Sequence, residues 1–586
     1  MRRDRREIAG WLLVGISLLY LWMFMPRGWV PHDEGMLGQS AEHILLGHLP
    51  HVDYQEPYTG GLSLLHAAAF KVFGVDLVHL RWILFAAFAA IQLLIYVILR
   101  RFLEPIGAAL VAMLSLTWSF PNYFASLPSW WVLLCAIVCV WAFIRHTETG
   151  LLRFAAGAGL AAGLSIAFKQ TGLYILVALV MAFLYGRGHR VVRLATALGS
   201  TCLAMAILTI RMTSTESVYL LLPIVACGIL LGASGESDSD RGQDAHRAAA
   251  LAVLCASLPL VACLIPYLTG GRLEPLLNGL FILPQKRLQF ASLPMTQVGY
   301  ILLGVPCVAL VLPIARRIHL TAMQFVVALT GLSVVAAIAI VVSFDRYAAY
   351  QLFWQSGRAF AALLPVAVSW LLAVRSDFDK KQRRILFCAT AMLAWASLVQ
   401  FPFSGAIYFC YAAPLAVIAG AACARYFSNL RNPALLVWCA SLAVFAVLTM
   451  NRGYLDSLGA WHQPIAFDTR LDMPRGHLNV RAEEAQTYRR VAELVAEHIG
   501  RGRLIAGPDS PEVYFLVDRL SRTGTFFDFF ADGEDEDEEA LWLRGRVVVL
   551  NQRPQFSTVP SQQLAARIRA QFPYGEAVGR FEVRWR

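Results

Sequence analysis

Two acidic clusters stand near the N-terminus. Asp33 and Glu34 come just after the first apolar run. Asp53, Tyr54, Glu56, Pro57 and Tyr58 form a second polar and aromatic group after an intervening helical stretch. Adjacent carboxylates at the edge of a hydrocarbon span are costly to desolvate, so their place there calls for a chemical reason. A carboxylate at that depth can take the proton of an acceptor hydroxyl. If the group leaving the other reactant is a lipid phosphate, cations must offset its charge. Lys169, one of five lysines, falls at the end of a tight hairpin between two apolar runs. Lys286, Arg287, Arg346 and Arg358 lie in further segments read as outside loops and are the other phosphate-binding candidates. Each has a bland reading. Asp33 and Glu34 could cap a helix. Lys169 could be a snorkelling stem, and the loop cations could simply be solvated. Tyr408 and Tyr411 fit an interfacial aromatic belt as well as a substrate site. His32, His43, His48 and His51 are close in sequence, but their spacing specifies no closed metal geometry. No metal ligand is assigned and no cofactor is expected; a divalent metal is not indicated.

The elements that position these groups are set by composition. Of 586 residues, 58% are hydrophobic and 15% charged, against roughly 25% charged in a soluble domain. Mean hydropathy is +0.57. These values exclude a soluble enzyme, a disordered chain and a disulfide scaffold, and point to a polytopic helical membrane protein. The net charge of +11 is explained by loops that fix membrane orientation, so no nucleic-acid partner is expected. The cysteines fall in apolar runs before residue 450, as small hydrophobes do.

The first run, 8–25, is long enough to span, and no small-residue cleavage site follows it. Further runs fall at 82–99, 104–120, 129–144, 154–168, 171–185, 194–210, 217–232, 248–268, 298–315, 322–343, 359–374, 385–400, 405–422 and 434–450. The expectation is about 15 transmembrane helices, with a range of roughly 13–15 because several runs are short. With the N-terminus inside, the inside loops hold about twice the Lys and Arg of the outside segments before residue 451. That parity places the first outside loop, 26–81, and the tail, 451–586, on the outer face. The membrane part is then 1–450. Within the first outside loop, 35–47 and 62–73 read as interfacial helices.

The tail changes character. Residues 483–498 have helical periodicity, 503–507 reads as a short strand, and 511–519 starts a helix at Pro511. Residues 546–552 form a second strand, 561–572 a Ser-capped helix, and 579–585 a closing strand. This alternation predicts a small α/β domain. The acidic run 533–539 reads as a solvated loop.

The DEG triplet at 33–35, followed by ILLGHLPHVDYQEPYTGGLSLL, resembles the first loop of the type C glycosyltransferases. These are polyprenyl-phosphate-sugar-dependent membrane enzymes, among them the protein O-mannosyltransferases and the lipid A aminoarabinose transferase. GLSIAFKQTGLY (163–174) is similar to the family's Lys-containing turn, and YFCYAAPL (408–415) to its late Tyr–x2–Tyr–x2–Pro motif. The resemblance implies Asp33 as the base, with Glu34 beside it. Glu56 matches the acid before the proline of the second cluster, although the family often has two prolines where this chain has PYTGG. A His-rich zinc site in the middle loop is not found. The matches leave the tail uncovered.

The resemblance implies transfer of a hexose or pentose from a polyprenyl-phosphate carrier to an extracytoplasmic glycan, lipid or protein, with inversion. Asp53, Tyr54, Glu56, Tyr408 and Tyr411 would then contact substrate. The expected setting is the cytoplasmic membrane of a bacterium, in contact with membrane lipid, with the N-terminus cytoplasmic. Two other readings stand beside this one. A transporter or flippase of lipid-linked sugars would place ionisable groups along a path through the bundle, often in repeated halves; no internal repeat is found. A non-catalytic envelope-assembly subunit would tolerate loss of Asp33.

Overall fold

In the computed structural model, the structure describes residues 2–209, 212–235, 239–290, 292–311, 347–375, 378–427, 467–521, 524–528, 540 and 542–586, with single positions between 323 and 338. Among them, seven helices are long and apolar enough to cross a membrane: Asp4–Phe24, Leu77–Leu99, Pro128–Thr149, Arg190–Leu208, Ser214–Ala233, Gln243–Thr269 and Trp354–Val374. Shorter apolar helices accompany them, including Gly61–Phe73, Leu152–Phe168 and Ala413–Arg425. The chain is a multi-pass helical membrane protein. Large apolar side chains such as Leu12, Ile16, Leu19 and Trp22 lie exposed along the first helix, as a lipid-facing surface requires.

The elements used below are α1 (Arg2–Phe24), α2 (Pro31–Leu45), α3 (Gly61–Phe73), α4 (Leu77–Leu99), α5 (Pro105–Met113), α6 (Pro128–Thr149), α7 (Leu152–Phe168) and α8 (Leu173–Leu184). They continue with α9 (Arg190–Leu208), α10 (Ser239–Thr269), α11 (Leu283–Phe290), α12 (Tyr347–Val374), α13 (Lys380–Ala396) and α14 (Ala413–Phe427). Asp76 caps α4, accepting a hydrogen bond from the Val78 N–H at 2.9 Å, which starts that helix five residues ahead of its uniform apolar run.

Where the sequence suggests about 15 transmembrane helices, several of them short, the described residues hold seven full-length spans and several shorter apolar helices. The 104–120 run breaks into α5, a short helix at Ser115–Trp118 and a 3-10 turn at Phe120–Asn122. Pro121 has no N–H to continue a helical ladder. The 405–422 run likewise divides between Ala406–Cys410 and α14, ahead of Pro414. The 434–450 run and most of 322–343 lie outside the described residues.

α7 crosses α10 on small residues. A methyl group on Gly159 would sit 2.1 Å from the Ala252 carbonyl oxygen, and one on Gly163 would sit 2.2 Å from that of Ala256. Glycines four apart let two backbones approach this closely without a clash.

Residues 467–586 carry a two-stranded ladder, β1 (Thr469–Arg470) with β2 (Asn479–Val480), and a four-stranded sheet in the order β3-β4-β6-β5. Its strands are β3 (Leu504–Gly507), β4 (Val547–Asn551), β5 (Tyr574–Val578) and β6 (Phe581–Trp585). β3 runs parallel to β4, pairing Ile505 with Val548; β6 runs antiparallel to both its neighbours. The helices are α15 (Ala482–Ile499), α16 (Pro511–Leu516) and α17 (Gln562–Gln571). The Ser561 hydroxyl caps α17 by accepting from the Leu564 N–H at 3.2 Å. β5 is the strand that sequence pattern did not mark: its side chains are mostly exposed, without the alternation of a half-buried strand. The 533–539 run lies outside the described residues.

The sheet-bearing region docks on α2. The expected interfacial helix is therefore covered by protein along most of its length, with Glu34 through Ala41 buried. Its glycines explain how. A methyl on Gly35 would sit 2.3 Å from the Glu512 backbone, and one on Gly38 would sit 2.5 Å from the Phe515 ring. The Gln39 side chain donates to the Arg519 carbonyl at 2.9 Å and accepts from the Ser521 N–H at 2.9 Å. Arg475 bridges Glu42 and Asp518. Gly28 donates to the Asn479 carbonyl at 2.6 Å, and Asn479 donates back to Pro26 at 2.8 Å.

Gly35→Val should push α16 off α2 and destabilise this seam by about 1–3 kcal/mol or more. Limited trypsin digestion of the purified protein is expected to cut residues 467–586 faster in the variant. Unchanged cleavage and thermal midpoint would contradict the close approach.

Candidate active site

Pro31 opens α2 at a position where a missing N–H costs nothing. Asp33 and Glu34 then share its first turn, and point to different partners. Glu34 is 2% exposed and Arg81, at the start of α4, is fully buried. Arg81 Nε donates to Glu34 Oε1 at 2.8 Å and Nη2 to Oε2 at 2.7 Å. Its remaining N–H groups reach the carbonyls of Met25 at 2.8 Å, Arg27 at 3.1 Å and Gly28 at 2.6 Å. All five guanidinium donors are thereby used. Glu34 Oε2 also accepts from the Val30 N–H at 2.9 Å. Glu34 thus holds α1, α2 and α4 together.

Asp33 faces the other way. Its side chain is 16% exposed and accepts a hydrogen bond from the Tyr123 hydroxyl at 2.5 Å. His32 Nε2 lies 3.8 Å from the other carboxylate oxygen. Tyr123 sits in the segment between α5 and α6. Burial, then the charge of Asp33, holds its phenol well above the ordinary range, so it stays a donor.

The second acidic cluster divides. Asp53 is exposed and ties a local turn, accepting from the Leu49 N–H at 2.7 Å. Tyr54 is buried and stacks on His43 at 4.6 Å between ring centres. Glu56 is 1% exposed; the Ser63 hydroxyl donates to it at 2.7 Å and the Tyr58 N–H at 3.3 Å. Burial pushes its carboxyl above the usual range.

The Glu56–Gly61 stretch lies against the end of α7. Thr59 donates to the Ala167 carbonyl at 2.5 Å, and a methyl on Gly61 would meet that oxygen at 2.4 Å. This brings Tyr58 to Lys169. The Lys169 ammonium lies 5.6 Å from the Tyr58 ring centre and 5.5 Å from that of Tyr408, both cation–π distances. It donates to the Ser129 hydroxyl at 2.9 Å. Tyr408 and Tyr411 are edge to face at 5.9 Å, and Tyr411 packs on Trp130 at 4.6 Å. Tyr411 is close enough to feel both Asp33 and Tyr58. Next to it Ser129, Val132, Thr171, Tyr174 and Val399 line a mostly apolar gap with room for about one water.

The structure therefore brings Asp33, Tyr123, Tyr411, Tyr58, Tyr408 and Lys169 to one end of the bundle, with Glu56 behind the loop. The other cationic candidates make different contacts or are undescribed. Arg358 is buried in α12 and donates to the Ser404 carbonyl at 2.7 Å. Lys286 is half-buried on α11. The Arg287 side chain and Arg346 lie outside the described residues. The histidines disperse: His43 and His48 share a 2.8 Å Nδ1–Nδ1 hydrogen bond, and His51 is packed against Gly279. Burial, then His48, lowers His43 to about 4.

The tail also reaches this end. Gly524 accepts from the Gln55 N–H at 2.7 Å. Phe527 and Phe556 stand edge-on to His32 at 6.4 and 5.4 Å. Sequence reasoning missed Arg81, Tyr123 and these phenylalanines. Only Arg81 carried a signal, as a charge directly before an apolar run.

Residues 61–237 match the family model described as Dolichyl-phosphate-mannose-protein mannosyltransferase. The chain is a membrane glycosyltransferase. The matched segment carries Arg81, Tyr123 and Lys169, while Asp33 and Glu34 lie ahead of it. The glycosyltransferase resembles ArnT from Cupriavidus metallidurans, solved bound to undecaprenyl phosphate, at 12% identity over 98% of this chain and 97% of that one, with a TM-score of 0.47. It is also similar to an Archaeoglobus fulgidus oligosaccharyltransferase solved with Zn and sulfate, at 11% identity over 92% of this chain and 67% of that one, with a TM-score of 0.38. No curated protein sequence matches it.

Replacing Arg81 by Met leaves the Glu34 carboxylate buried without its partner, at a cost of about 3–5 kcal/mol. Glu34→Gln, which keeps shape and some hydrogen bonds, should cost less. Thermal unfolding in detergent checks the order. Equal midpoints for wild type and Arg81→Met would show that the pair does not hold these helices.

Proposed function

We propose that this glycosyltransferase moves one sugar from a polyprenyl-phosphate carrier to a hydroxyl of an extracytoplasmic acceptor, with inversion. The acceptor oxygen bonds to the anomeric carbon as the bond from that carbon to the phosphate oxygen breaks. Asp33 takes the acceptor's proton, and polyprenyl phosphate leaves. The observation that carries this reading is the placement of Asp33: partly accessible, oriented by Tyr123, and at the end of the bundle that also holds Lys169.

Lys169 offsets the charge of the departing phosphate. The Tyr58 and Tyr408 rings flank its Nζ, which donates to the Ser129 hydroxyl. Tyr411 lies within reach of both Asp33 and the Tyr58 and Tyr408 rings that flank Lys169. Glu34 serves by fixing α2, and Glu56 by ordering the Tyr58 loop. The setting is a bacterial cytoplasmic membrane, with the N-terminus cytoplasmic and the site and residues 451–586 on the outer face. The excess of basic residues in the opposite loops supports this orientation.

Loss of a general base typically lowers rate by 10²–10⁴. Asp33→Asn is expected to lower kcat by about 10³ with KM for the carrier little changed. Lys169→Gln should lower kcat by about 10² or more. The assay supplies the purified protein with polyprenyl-phosphate sugars and candidate acceptors. Wild-type turnover by Asp33→Asn would eliminate this mechanism, and carrier movement across vesicles without sugar transfer would favour a transporter.

A further inference from the structure

The opposite end of the bundle holds a second built site. Ser129, beside Lys169, and His146 lie near the two ends of α6. At 1.5 Å per residue they are about 25 Å apart. Around His146 the charges are basic. Arg384, in the first turns of α13, is 3% exposed. Its guanidinium stands over the Phe143 ring at 5.3 Å. Its Nε and Nη1 are buried and have no hydrogen-bond partner among the described residues. Arg187, on the turn after α8, is close enough to repel it, and both act on His146. Arg375 Nη1, at the end of α12, is also buried without a partner among the described residues. Arg383 donates to the carbonyls of Arg375 and Leu372. Exposed Lys380 and Lys381 continue the basic surface to water.

Among the described residues, the acids nearby are engaged. Asp244, which acts on His146, is 3.9 Å from Arg247. Glu148 is held by Arg101 and Arg145. An unsatisfied buried donor carries a desolvation cost, larger when the donor is charged. Two guanidiniums in mutual repulsion add to that. A simple orientation signal would leave these arginines hydrated; Arg384 is not. An anion with several acceptor oxygens resolves the imbalance.

We propose that Arg384, with Arg187 and Arg375, binds the phosphate of an anionic phospholipid at the membrane face opposite Asp33. The site lies at helix ends, where lipid headgroups are, and basic pockets between spans accept such headgroups. The lipid's phosphate satisfies Nε and Nη1 of Arg384 and braces α6, α8, α12 and α13 from the far side. Nothing here depends on the sugar-transfer reading.

The test uses the full-length protein, delipidated in neutral detergent. Phosphatidylglycerol, phosphatidylcholine or inorganic phosphate is added, thermal midpoints are read, and retained lipid is weighed by native mass spectrometry. Phosphatidylglycerol is expected to raise the midpoint and remain bound, and phosphatidylcholine to do neither. Arg187→Gln, at a half-buried position, and Arg384→Met should each raise the phosphatidylglycerol concentration needed by about tenfold. Equal effects of both lipids, or wild-type lipid retention in Arg187→Gln, would overturn the proposal. A shift of equal size from inorganic phosphate alone would assign the site to a free anion and overturn the lipid reading.

Discussion

The buried pair of Glu34 and Arg81 is the constraint on which the arrangement of the site depends. A guanidinium fully removed from water is stable only if every donor is used, and here two go to a carboxylate and three to the frayed carbonyls after α1. One side chain thus closes the C-terminal end of α1 and clamps the N-terminal turn of α2. The rigidity matters because Asp33 is the adjacent residue. With Glu34 fixed inward, the helical turn carries Asp33 to the opposite side, against Tyr123. Neighbouring acids in one turn therefore point to different partners: one holds the helix, and on the proposed reading the other acts on substrate.

The same helix is clamped from its outer side. Gly35 and Gly38 let α16 lie against it, and Gln39 and Glu42 tie it to Arg519, Ser521 and Arg475. The helix bearing Asp33 is therefore a layer between the membrane bundle and the sheet-bearing tail. The tail's Phe527 and Phe556 close the space around His32. On the proposed reading, residues 467–586 are part of the active-site wall, and an acceptor must approach past them.

Much of this was legible in the sequence because local chemistry announces itself locally. The acids after the first span, the Lys in a tight hairpin and the paired tyrosines of 408–411 stand out as polar groups among apolar runs, and the fold gathers Asp33, Lys169, Tyr408 and Tyr411 at one end. The tail strands 503–507, 546–552 and 579–585 were readable from apolar runs bounded by turns. What could not be read are pairings over long separations. Arg81 and Glu34 are 47 residues apart, and Tyr123 and Asp33 are 90 apart; the place of Arg81 before an apolar run marks a charge at a span's edge but does not name its partner. Composition also cannot tell a lipid-facing interfacial helix from one covered by a domain nearly 480 residues later, so α2 was misjudged. Helix breaks at Pro121 and before Pro414 reduced the number of full-length spans for a similar reason: hydropathy counts apolar residues, not backbone continuity.

The central claim is that one carboxylate acts once, as a base, in a direct displacement of a lipid phosphate. Stereochemistry tests it without relying on any variant. A polyprenyl-phosphate sugar of known anomeric configuration, labelled with carbon-13 at the anomeric carbon, would be turned over by the wild-type enzyme and the new linkage read by NMR. The account predicts the opposite anomer in the product. A product with the donor's own configuration would contradict it, because retention requires a second displacement that Asp33 as a lone base does not provide.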